Sequence, residues 1–154
     1  LIPSAVDNSK TAMKCVINDD SHYDWRDDHH PRIPLNKTII YETHVRGTTM
    51  HASSKVLSRG TFAGIVEKIP YFKELGITAI EFLPVHDFNE NEIIRVNPKT
   101  GERLKNYWGY NSLSFFALNS LYSSSKEPGG VVAEFKDMVR QLHHAGIEVI
   151  LDVV

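Results

Sequence analysis

The side chains best suited to chemistry sit at the ends of apolar runs. Asp152 interrupts the run from Ile147 to Val154, where a carboxylate is costly unless it is paired or put to use. It either lines a site at a strand end or bonds to neighbouring backbone as a structural carboxylate. His86 and Asp87 stand just past a second apolar run, residues 77–83, and carry the same two readings. Glu42, His44 and Arg46 alternate along a third, residues 38–45, so a strand there would place them on one face. That face is either a floor of hydrogen-bonding groups below a pocket or a self-satisfied polar network inside a barrel. The network is preferred for Glu42, while His44 and Arg46 stay open between the two. Tyr107, Trp108 and Tyr110 cluster around Gly109 and precede Asn111, after a polar loop rather than on a helical stripe. They serve either as packing residues or as a platform, since flat rings with polar edges suit the C–H faces of sugars.

Other chemistries are excluded or left without support. Eight histidines invite a metal site, but His143 and His144 are adjacent on a helical stretch and would point about 100° apart. His29 and His30 lie in a polar loop, and no H-E-x-x-H is present, so all four are read as surface histidines. Cys15 is the only cysteine, which rules out an internal disulfide and a cysteine-based zinc site. No G-x-G-x-x-G and no Walker loop follows any apolar run, so nucleotide phosphates have no cradle.

The elements that must hold these groups follow from periodicity. The chain has 154 residues, 42% hydrophobic and 23% charged, with a net charge of −2. That is enough apolar material for a packed core. No basic stripe suggests nucleic acid, and no run of about 18 apolar residues suggests a membrane span. Residues 1–36 are polar and aperiodic, and read as a linker or the junction from a preceding domain. Residues 38–45 predict a first strand and 46–60 a loop. Phe62, Ile65, Val66, Ile69, Phe72 and Leu75 predict a helix over 61–75, ended by Gly76. Pro70 must kink that helix or open its second half. Residues 77–83 predict a second strand, and residues 89–106 a long loop with a turn at 97–101. Val131, Phe135, Met138, Val139 and Leu142 predict a helix over 131–145. A third strand follows at 147–153. The repeated order of helix, glycine and apolar strand predicts parallel neighbouring strands, and a barrel is preferred to an open sheet. A first residue that is not Met and an apolar last residue inside a strand lead to the expectation that the chain is a fragment.

Four stretches together resemble the α-amylase superfamily of glycoside hydrolases and transferases. They are IIYETHVRG (39–47), GTFAGIVEKIPYFKELGITAIEFLPVHDF (60–88), NYWGYNSLSFFAL (106–118) and EFKDMVRQLHHAGIEVILDVV (134–154). Within the superfamily, the first strand and the stretch from Asn97 to Asn111 look most like isoamylase-type and glycogen debranching enzymes. The resemblance implies an α/β fold, a partial (β/α)8 TIM barrel holding the first three strands and their helices, over residues 37–154. It implies hydrolysis of α-1,6 branch linkages in a branched α-glucan such as glycogen, starch or amylopectin. The implied mechanism is retaining, with two carboxylates. The nucleophile and the acid/base are implied on the fourth and fifth strands, so no catalytic residue is assigned within this chain. Tyr110 matches the tyrosine that stacks on the sugar at the cleaved position, and Asp152 matches the supporting first residue of the family's first conserved region. Trp108 joins them as a substrate-binding candidate. No cofactor is expected, and no metal ligand is assigned. The competing readings are a branching enzyme, a trehalose-releasing hydrolase, and a non-catalytic glucan-binding module. Tyr107 in YWGYN and Val153 in LDVV favour debranching over branching.

Overall fold

A computed structural model describes residues 6–12, 14–19 and 21–154. The remaining positions, Asp20 among them, lie outside the described residues, and so does that part of the expectation for residues 1–36.

Three parallel strands form the central sheet: β1 (Ile40–Thr43), β2 (Ala79–Phe82) and β5 (Glu148–Leu151), in the order β1-β2-β5. Their register aligns Tyr41 with Ile80 and Val149, and Glu42 with Glu81 and Ile150. Successive side chains alternate across a strand. The Tyr41–Ile80–Val149 row therefore faces the helices, and the Glu42–Glu81–Ile150 row faces the other way. The expected parallel arrangement is present, with one face of the sheet open. Glu42 is exposed and Glu81 and Ile150 only half-buried, because all the helices pack on one side.

That side holds the core. Phe62, Ile65, Phe72, Ile80, Phe82, Met138, Leu142 and Ile147 are fully enclosed. Each contributes about 1.5–3 kcal/mol by leaving water. Phe62 and Ile65 lie on α2 (Phe62–Glu67), Phe72 on α3 (Ile69–Leu75), and Met138 and Leu142 on α4 (Gly130–His144), while Ile80 and Phe82 come from β2. The single helix expected over 61–75 is divided. Thr61 caps α2, its Oγ1 accepting the Gly64 N–H at 3.2 Å. Pro70 sits in the first turn of α3, where its missing N–H costs nothing. Gly76 ends α3 with φ +79°.

Gly64 must be glycine for a reason of space. A Cβ there would lie 2.3 Å from the carbonyl oxygen of Ser58 and 3.0 Å from Thr49 Oγ1. Backbone cannot rotate aside as a side chain does, so the turn before α2 would have to shift. Gly64→Ala is expected to destabilise by about 1–3 kcal/mol, the range for overpacking. A chemical-unfolding midpoint unchanged from wild type would contradict this contact.

One expectation fails outside the sheet. Residues 46–60 are not simply a loop. They contain α1 (Val45–Thr49) and a 3-10 turn at Ala52–Ser54. The strand stops at Thr43 because His44 turns into the cap of α1, so His44 and Arg46 do not continue the Glu42 face. An antiparallel pair also emerges from the stretch after β2: β3 (His86–Phe88) and β4 (Ser112–Leu118). His86 and Asp87, just past β2, therefore belong to a strand of their own.

Residues 23–33 lie along α4 and β5. Tyr23 donates to Asp137 at 2.8 Å, Asp28 pairs with His143 at 3.0 Å, and the Ile33 N–H reaches Glu148 at 3.0 Å. His143 is only 8% exposed, which corrects its reading as a surface histidine. The His30 ring lies 4.8 Å from it. Their carboxylate and ring partners come from opposite ends of the sequence, a pairing that local pattern does not contain. Among the described residues no helix is long and apolar enough to cross a membrane, and no three His, Cys, Asp or Glu gather as metal ligands.

Candidate functional site

The carboxyl ends of β1, β2 and β5 all point to the same edge of the sheet, as parallel pairing requires. In α/β folds this is the edge where side chains from several strands converge on a ligand. Asp152 follows β5 there, its own N–H donating to the Phe82 carbonyl at 2.9 Å. Its carboxylate accepts the hydroxyl of Tyr110. Two of the three candidate substrate-binding residues, 42 positions apart, are therefore joined by a hydrogen bond. Asp152 is not bonded merely to nearby backbone.

That bond fixes the state of the phenol. The hydrogen bond to Asp152, then burial, then the charges of Asp152, Glu42 and Glu81 push the Tyr110 pKa up to about 12. Tyr110 stays protonated at any physiological pH and acts as a donor. Its ring is 41% exposed, so a face remains open to a ligand. Glu42 and Glu81, on the open face of the sheet, add negative charge around it.

A cleft of about 640 Å³ runs beside β1, lined by Glu42, His44, Tyr71, Leu83, Tyr107 and Trp108 among others. Trp108, 56% exposed, forms part of this wall, whereas Tyr110 does not. Glu42 links the two places, lining the cleft and acting electrostatically on Tyr110. Its exposure there replaces the self-contained network expected for it.

The loop that carries the aromatic residues is braced by groups that were not candidates. Asn106 and Asn111 both donate side-chain amides to Glu92. Asn106 Oδ1 accepts the Gly109 N–H at 3.1 Å. Gly109 has φ +79°, and a Cβ on it would meet the Phe88 ring at 2.9 Å. The asparagines flanking YWGY are the one sequence signal that such bracing leaves. His44 and Tyr122 complete the surroundings. The Tyr107 ring stacks on the His44 ring at 4.4 Å, and the Tyr122 hydroxyl lies 3.2 Å from His44 Nε2. His86 is also buried, edge-on to Phe115. Burial pushes the Asp87 carboxyl up, partly offset by the Phe88 N–H.

The arrangement suits a neutral ligand with hydroxyls and apolar faces. It offers aromatic surfaces, a phenol donor and several carboxylate acceptors. A family model described as the catalytic domain of alpha amylase matches residues 16–154. Isoamylase 1, chloroplastic, of Arabidopsis thaliana is 41% identical over 152 residues, covering 96% of this chain and 19% of that protein. A glycogen debranching enzyme of Salmonella paratyphi B is 47% identical over 156 residues, covering 99% of this chain and 22% of that protein. The chain thus spans about a fifth of the length of these relatives. Among solved structures, a pullulanase of Paenibacillus barengoltzii in complex with maltohexaose and alpha-cyclodextrin superposes with a TM-score of 0.71. It is 25% identical, with 84% of this chain and 22% of that one covered.

Proposed function

The chain belongs to the α-amylase catalytic-domain family, and on that premise we propose that it forms the opening β/α units of a glycosidase that cleaves α-1,6 branch linkages of glycogen or starch. Residues 37–154 are then the first three strands and helices of a (β/α)8 barrel, and residues 1–36 the junction before it. The observation that carries this reading is the Tyr110–Asp152 hydrogen bond at the carboxyl ends of parallel strands. It holds an exposed aromatic ring where a barrel of this kind presents substrate. The linkage specificity is taken from the names of the relatives, which are debranching enzymes.

In this reading the glucosyl ring lies on Tyr110, whose hydroxyl is directed by Asp152. Trp108 and Tyr107 extend the aromatic surface along the cleft. The chemistry is retaining: one carboxylate attacks the anomeric carbon while another protonates the departing glycosidic oxygen and then activates water. Both of these carboxylates are supplied from strands that follow β5 in a complete barrel. The part of this chain is to bind and orient the sugar, and to keep acceptor carboxylates around its hydroxyls.

Tyr110→Ala in the complete enzyme is expected to remove about 1–3 kcal/mol of transition-state stabilisation, roughly 5- to 150-fold in kcat/KM on a branched glucan. Unchanged kcat/KM would remove Tyr110 from the site. Release of reducing ends from glycogen by the complete enzyme, with the products trimmed of their branches, tests the linkage assignment itself.

A further inference from the structure

His44 occupies the junction between β1 and the aromatic loop, only 6% exposed. Its ring nitrogens have partners that leave no choice of proton position. Nδ1 lies 3.1 Å from the Gly47 N–H, a group that can only donate, so Nδ1 carries a lone pair. Nε2 lies 3.0 Å from the Tyr107 carbonyl, which can only accept, so Nε2 carries the proton and the Tyr122 hydroxyl, 3.2 Å away, can only accept from it. The imidazole is neutral and locked as one tautomer between the cap of α1 and the aromatic loop. Its face is covered by the Tyr107 ring, 4.4 Å away and tilted by 16°, and the Trp108 ring meets it edge-on at 6.1 Å. Tyr107 in turn approaches α1 so closely that a Cβ on Gly47 would lie 2.9 Å from its hydroxyl.

We propose that His44 is a positioning residue for the glucan platform: its Nε2–H tethers the Tyr107–Trp108 turn to the end of β1, and so sets the ring of Tyr110 for stacking on the sugar. The inference rests on the debranching reading above. The tether acts through a short, stiff path. Tyr107 is held by His44, Gly109 is held against Phe88 and by Asn106, and Tyr110 is held by Asp152. Three residues of loop are thus fixed at three points: just past β1, on β3, and just past β5. Releasing the first point leaves Trp108 and the approach to Tyr110 without their lateral support. A displacement of an ångström in a substrate-orienting group can cost about a hundredfold in rate.

The same geometry makes the tether sensitive to acid. A second proton would have to go on Nδ1, facing the Gly47 N–H, which would cost α1 its cap. Burial, and after it the charge of Arg46, hold the imidazole below its ordinary 6.5, with the Tyr107 carbonyl opposing them. The groups facing the ring are Arg46 of α1, Tyr107 and Trp108 of the loop, and Tyr122 of the 3-10 turn Ser120–Tyr122.

Two substitutions separate the two nitrogens. His44→Asn keeps an acceptor for the Gly47 N–H, since asparagine caps helices well, but does not reach Tyr107. His44→Gln places an amide N–H near the Nε2 position and gives up the cap. In the complete enzyme, H44N is expected to keep its thermal midpoint close to wild type while losing about 10- to 100-fold in kcat/KM on branched glucan. H44Q is expected to recover most of that activity. An H44N enzyme within about twofold of wild type, or activity losses in both variants that merely follow their losses of thermal midpoint, would overturn the proposal. Should H44N fail to fold, H44Q decides: loss of the wild-type acid limb of kcat/KM below pH 6.5 supports the tether, and an identical limb in both overturns it. A wild-type enzyme inactive on branched α-glucan would overturn the debranching reading as well, whereas an active one with an indifferent H44N overturns only this inference.

Discussion

Glu134→Leu is expected to lose about 1–3 kcal/mol of stability, the range for leaving hydrogen-bond donors without their acceptor. Glu134 lies in the second turn of α4, and its two oxygens serve different parts of the molecule. Oε1 accepts the Ala63 N–H of α2 at 2.9 Å. Oε2 accepts the Ser123 hydroxyl at 2.7 Å, the Ser124 N–H at 2.8 Å and its hydroxyl at 3.0 Å, and the Ser125 N–H at 3.2 Å. One carboxylate therefore closes the start of α2 and the serine turn before α4 onto one another. Leucine would fill similar space and leave three backbone amides without that acceptor. Glu134→Gln is expected to fall between, because its amide nitrogen presents hydrogens to groups that are themselves donors.

The pH dependence follows from the same contacts. Burial alone would push the Glu134 carboxyl up, but the Ser123 hydroxyl and the amides of Ala63, Ser124 and Ser125 outweigh it, and the pKa falls below the ordinary 4.5. A folded-state value below the unfolded one means that the contribution is complete above 4.5 and is lost as pH falls through the lowered value. The gap in urea midpoint between wild type and E134Q should thus be widest at neutral pH and shrink in strong acid. A gap independent of pH would show that the carboxylate form is not what these donors select.

What was legible in the sequence was what local periodicity encodes. The three strands, α4, and the glycines that end α3 and α4 each carry their signal within a dozen residues, and the parallel order follows from the repeat. The β3–β4 pair was not legible. His86–Phe88 is too short to show alternation, Phe115-Phe116 breaks it in β4, and the pairing of His86 with Leu118 depends on the sheet that brings them together. The aromatic loop and Asp152 could be singled out by residue type, but not joined, because nothing local says that Tyr110 donates to a residue 42 positions away. His44 was hidden more deeply. It read as one tooth of an alternating strand, whereas it is an uncommon cap residue whose second nitrogen binds a carbonyl 63 positions on. Chemistry that depends on two distant segments appears only with the fold.

The 154-residue chain expressed alone is expected to show no glycosidase activity and to melt without a sharp transition. Its sheet has three strands, and β1 and β5 each present an outer edge, a template for pairing with other chains. The face of the sheet that carries Glu42 is uncovered, and Ile40, Leu113, Phe115 and Phe116 are exposed, the last of them fully. In the barrel proposed above, which takes eight strands and about 250 residues, further strands would cover apolar surface that stays in water here. Chemistry fails for a separate reason. A retaining glycosidase needs a nucleophile and an acid/base about 5–5.5 Å apart across one glycosidic bond. The carboxylate of Asp152 is occupied with Tyr110, and the function proposed above takes both reacting groups from later strands. Incubation of the purified chain with glycogen, followed by reducing-sugar assay, thermal melt and sizing, checks both halves. Turnover abolished by replacing Glu42, Glu81 or Asp152 would mean that the reacting carboxylates lie within these three strands. A cooperative melt of a monomer would instead mean that the open edges and the uncovered face cost less than the core of Phe62, Phe72, Phe82 and Met138 contributes.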